Sequence, residues 1–97
     1  MGFEEEYELD FLVNEAEYMV FEELEKVLEQ EESKDICKCQ DCVYDMAALA
    51  LNSVKPFYRA SLLGKVYADA LSNSEYAESV KEAVKNAVKK ISENPSH

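Results

Sequence analysis

Tryptophan is absent from these 97 residues, histidine occurs once, and glycine and proline occur twice each. So few chain-breakers exclude a meander of short strands, which needs frequent turn residues, and point to helices. With one histidine the chain has no two-histidine metalloprotease helix, so metal-assisted hydrolysis is not expected. No long apolar run is present. Met46 to Leu51 is the longest, far short of the ~20 residues that cross a bilayer. Bases are also scarce, ten against twenty-one acids, for a net charge of −11. Such a chain repels phosphate backbones, so non-specific nucleic-acid binding is not expected, and it lacks the basic amphipathic face that suits an anionic membrane. Met1 to Glu6 is acidic where a signal peptide is basic and then apolar, and Glu6 stands where a myristoylation motif has Ser or Thr. The expectation is a cytoplasmic protein that binds neither nucleic acid nor membrane.

What is present is an apolar fraction of 47%, enough for one folded domain of this length. A core this small is often helped by a metal or by a partner subunit. The charge is uneven. Residues 1–36 hold fourteen acids and two lysines, whereas residues 37–97 hold seven acids and eight bases. Residues 1–10 read as an acidic, flexible lead-in, and residues 11–97 as a single domain.

Three segments carry helical periodicity. Val13, Ala16, Val20, Leu24, Val27 and Leu28 form one stripe, and Asn14 with Glu17 has the spacing of a capping box, so a helix starts near Asp10 or Asn14. A second helix is predicted over Gln40 to Leu51, apolar on nearly every side, as a central or interface helix is. Asn52, in left-handed geometry, and then Lys55-Pro56 are expected to end it. Residues 57–71 fit no single period and read as an irregular arm, with room for one short helix. The last helix opens on the capping box Ser72-Asn73-Ser74-Glu75 and buries Ala77, Val80, Ala83, Val84, Ala87, Val88 and Ile91. The fold class is therefore all-α: three main helices plus an irregular arm.

All three cysteines fall within Cys37-Lys38-Cys39-Gln40-Asp41-Cys42. Clustered cysteines in a cytoplasmic chain point to metal rather than to disulfides. A thiolate-rich tetrahedral site selects zinc, and a helix N-terminus favours the thiolate form that binds it. Three sulfurs are one short of a closed structural site. His97, Asp45 one turn after Cys42, a water or a residue of another subunit are the candidates for the fourth ligand. Three reduced, partly buried thiols without metal is the plainer alternative.

The motif Cys37-x-Cys39-x-x-Cys42-x-x-Asp45, followed by Ala48-Leu49-Ala50-Leu51-Asn52 and Pro56-x-Tyr58, resembles the late competence protein ComFB family. Asn14-x-x-Glu17-x-x-Val20-x-x-x-Leu24 upstream, with Gly64-x-x-Tyr67 and Asn94-Pro95-Ser96-His97 downstream, extends the resemblance over most of the chain. It implies a compact all-α homodimer with zinc on its cysteines, and a regulatory role in which cyclic dinucleotides, c-di-GMP or c-di-AMP, are the ligand class. Lys55, Tyr58 and Arg59 join two cations to an aromatic ring and are the candidate ligand-binding residues, since Arg pairs phosphate and Tyr covers a base. The alternative is a structural interaction module that docks an unidentified protein partner and takes no small molecule. Neither reading is an enzyme.

Overall fold

The computed structural model describes residues 2–60 and 75–94. The expected Ser72–Ser74 cap, residues 61–71 of the arm and His97 lie outside the described residues. Four helices are present among those described: α1 (Phe3–Glu6), α2 (Glu15–Leu28), α3 (Gln40–Ser53) and α4 (Glu75–Glu93). The domain is thus mostly helical. It also contains one feature that an all-α reading omits, an antiparallel pairing of β1 (Val13–Asn14) with β2 (Tyr58–Arg59), in which Val13 faces Arg59 and Asn14 faces Tyr58.

Helix α1 is a single turn with no buried residue, held by the Gly2 N–H donating to the Glu5 carboxylate at 2.7 Å. Helix α2 starts where its cap allows. Asn14 is extended, and its Oδ1 accepts from the Ala16 N–H at 3.1 Å, satisfying one of the unpaired donors of the first turn. Val13 therefore belongs to β1, and the buried stripe of the helix begins at Ala16 and runs through Val20 and Leu24. After α2 a 3₁₀ turn, Glu31–Ser33, reverses the chain. The Ser33 hydroxyl is buried beneath that turn and donates to the Val27 carbonyl at 2.8 Å, closing the end of α2.

Helix α3 buries Cys42, Met46 and Ala50, one residue per turn on a single face. It runs two residues past the expected stop, to Ser53, and ends on Val54 in extended conformation, next to Lys55-Pro56. Asn52 is therefore helical rather than a left-handed cap, and no described non-glycine residue has positive φ. The physical reason is the proline, which stops the helix through its neighbour without a left-handed residue.

Helix α4 turns Val80, Ala83, Val84, Ala87 and Val88 inward, while Ala77 and Ile91 are half-buried. Small and β-branched side chains on that face let it pack against both α2 and α3. The core is the meeting of these three faces, with Met46, Val20 and Val84 fully buried at its centre. The outer side of α4 is solvated, and Lys81 pairs loosely with Glu78 there, an exposed contact of small energetic consequence.

Candidate metal centre

The local sequence explains how the three cysteines converge. The 3₁₀ turn delivers Ile36 and Cys37 to the edge of the core. The Lys38 ammonium then folds back, donating to the carbonyls of Ser33 at 2.6 Å and Ile36 at 3.3 Å, which fixes the turn between the first two cysteines. Cys39 becomes the N-cap of α3, and its Sγ accepts from the Cys42 N–H at 3.5 Å. Cys42, in the first turn, points into the core. The three sulfur atoms lie within 4.8 Å of one another, and all three are reduced.

This arrangement fits a thiolate-bound ion. Sulfurs around tetrahedral zinc at ~2.3 Å stand about 3.8 Å apart, so small side-chain rotations bring this cluster to bonding geometry. The electrostatics favour it as well. The Cys42 N–H, and then hydrogen bonds from the Cys37 and Cys42 thiols, hold the Cys39 thiol below its ordinary pKa. Burial grades across the site: Cys42 is buried, Cys37 half-buried and Cys39 exposed. Asp45 is exposed on α3 and is not one of the close group. Among the described residues that group consists of the three sulfurs.

The second candidate set sits elsewhere. Lys55 and Tyr58 are exposed, Tyr58 at 59%. Arg59 is engaged: its Nε donates to Glu15 Oε1 in a short ion pair, with the two side chains only 22% and 11% exposed. Three residues that are not candidate site residues in the sequence complete this corner. Glu15 reads locally as a helix-dipole acid but is buried against Arg59. Phe57 donates its N–H to Asn14 Oδ1 at 2.9 Å and accepts at its carbonyl from the Glu15 N–H at 2.7 Å. Tyr76 of α4 meets the Phe57 ring edge-on at 5.1 Å and donates its hydroxyl to the Lys55 carbonyl. Only the Asn14 cap left a signal in the sequence, because the other contacts join residues far apart along the chain.

A third feature is an open apolar cleft of about 630 Å³ between α2 and α3. Phe21, Leu24 and Leu28 line it from α2, and Val43, Ala47 and Leu51 from α3, with Tyr44 and Ala48 at its exposed edge. No helix among the described residues is long and apolar enough to cross a membrane.

A comparison with curated proteins finds no significant match. Among solved structures the chain is similar to that of the late competence protein ComFB from Bacillus subtilis, with 29% sequence identity and a TM-score of 0.70. The match covers 88% of this chain and 92% of that one. The sequence profile of the family described as late competence development protein ComFB matches residues 13–95, which take in the Asn14 cap, the three cysteines and all of α2 to α4. The chain belongs to the ComFB family of late competence development proteins.

Proposed function

We propose that this protein is a zinc-stabilised homodimer acting as a regulatory interaction protein rather than as a catalyst. The observation that carries the reading is the double use of α3. Its first turn supplies Cys42 and the Cys39 cap to the sulfur cluster, and its next turns present Val43, Tyr44, Ala47 and Ala48 to an open apolar cleft. Metal at the cysteines would fix the end of the helix whose outer face is left for docking. Cys37, Cys39 and Cys42 would hold the ion, with Asp45, His97, a water or a donor from the second copy completing the tetrahedron. A second copy is the natural occupant of the cleft, since a two-fold pairing lets one apolar face cover its own twin.

Three measurements test this. Elemental analysis should find about one zinc per chain, and chelation should lower the melting temperature, because a site absent from the unfolded chain adds its binding energy to folding. Light scattering at micromolar concentration should give twice the chain mass. Metal-free protein as prepared, or a monomer, overturns the corresponding half of the proposal.

A cyclic-dinucleotide receptor is the second reading, favoured by the exposed ring of Tyr58 and the exposed Lys55 three residues before it. A phosphate reaching Arg59 would have to compete with Glu15 for the guanidinium. Calorimetry with c-di-GMP and c-di-AMP separates the two readings. Heat that disappears in Tyr58→Ala, at an exposed ring outside the Glu15–Arg59 pair, supports a receptor, and no heat from zinc-loaded dimer leaves the interaction protein.

A further inference from the structure

Cys39 and Cys42 differ in a way that metal binding alone does not require. Cys39 caps α3 with its sulfur exposed to solvent, and Cys42, three residues later, is 1% exposed in the core. Their sulfurs lie in a group spanning no more than 4.8 Å, and the Cys42 N–H points at the Cys39 sulfur. Residues three apart on a helical turn have Cα atoms about 5 Å apart, inside the range that disulfides span without backbone movement. An accessible sulfur and a shielded one at this spacing make an attacking and a resolving thiol.

We propose that Cys39 and Cys42 form a redox-active pair, a disulfide-forming site whose oxidant is a peroxide. The Cys39 thiolate attacks the peroxide O–O bond and becomes a sulfenic acid, and hydroxide leaves. The Cys42 thiol then attacks the Cys39 sulfur, forming the S–S bond and releasing water. Two electrons pass from the sulfurs to the peroxide, and a dithiol reductant reverses the change. Cys42 rather than Cys37 is the partner because pairing Cys37 with Cys39, one residue between them, would close a strained small ring. Where the thiolates hold a metal, oxidation withdraws two of its three cysteine ligands, so the disulfide and the bound ion exclude one another. That last clause rests on the zinc reading; the disulfide itself does not.

The sequence supplies its own assay. Trypsin cleaves after Lys34 and Lys38, leaving Cys37 in the peptide Asp35–Lys38 and both Cys39 and Cys42 in Cys39–Arg59, where Pro56 protects Lys55. Chelator-treated protein given one equivalent of hydrogen peroxide should lose about 2 Da, the mass of two hydrogens. The loss should appear in Cys39–Arg59, with Asp35–Lys38 still open to alkylation. Cys37→Ser should keep the loss, and Cys42→Ser should instead give a sulfenic acid trapped by dimedone. A cross-link between the two peptides, or oxidation that only adds oxygen, overturns the pair. In zinc-loaded protein the same treatment should release ion to a chromogenic chelator in step with the mass loss. A disulfide with no ion ever present would sink the zinc reading alone.

Discussion

Asn14 Oδ1 accepts the Phe57 N–H at 2.9 Å, across 43 residues of sequence, while also capping α2 through the Ala16 N–H. One amide oxygen thus starts a helix and fastens the segment that follows α3. Replacing Asn14 with Ala leaves two donors without that acceptor, and stability should fall by about 1–3 kcal/mol. Asn14→Asp keeps an oxygen in place and should recover most of the loss. Urea unfolding followed by circular dichroism measures both.

The Glu15–Arg59 pair joins the same two segments by charge, with both side chains mostly withdrawn from water. Removing one partner strands the other, so Glu15→Ala and Arg59→Ala should each cost roughly 1–3 kcal/mol, less than a fully buried pair because Arg59 keeps some solvent. The double variant should cost less than the sum of the two, with a coupling of about 1 kcal/mol or more in a double-mutant cycle. Additive costs would show that the contact is incidental.

Met46 and Ala48 lie two residues apart on α3 and separate folding from docking. Met46 is fully buried, so Met46→Asp places a charge in the core and should abolish the folded state. Ala48 is exposed at the edge of the α2–α3 cleft. Ala48→Asp should keep the helical spectrum and melting transition while light scattering drops to the monomer mass. A dimer that survives Ala48→Asp does not use this face.

Burial pushes the Tyr76 phenol above its ordinary value of 10.0. A group whose folded pKa is raised contributes stability below the unfolded value, and loses it as pH rises through the folded one. Stability should therefore decline above about pH 10 as the unfolded chain deprotonates first. Tyr76→Phe should remove that part of the alkaline loss. At neutral pH it should cost about 0.5–1.5 kcal/mol, the worth of the hydrogen bond to Lys55. Chemical denaturation at pH 7 and above pH 10 gives both numbers.

The three long helices and the cysteine cluster were legible because their signals are local. Apolar residues recur at helical spacing in α2 and α4, Asn14 precedes α2 as a cap, and the cysteines crowd into one turn. The β1–β2 pairing was not legible, since two-residue strands carry no alternation and their register depends on partners 44 and 46 positions away. Glu15 was hidden for the same reason: among fourteen acids in the first 36 residues, nothing marks the one that is buried. Asn52 misled because asparagine suits a left-handed cap, whereas Pro56 ends the helix by another route.

The placement of α4 against both α2 and α3 sets the order in which the protein opens. Those two helices meet each other less than each meets α4, so each loses most of its packing once α4 departs. Amide protons in the middle of α4, around Val84 and Ala87, should exchange with deuterium only when the whole domain unfolds. Those of α1, which buries nothing, should exchange almost as in a free peptide. The last helix of the sequence is thus the element on which cooperativity depends, and a chain ending before Glu75 would lose the surface that both α2 and α3 pack against.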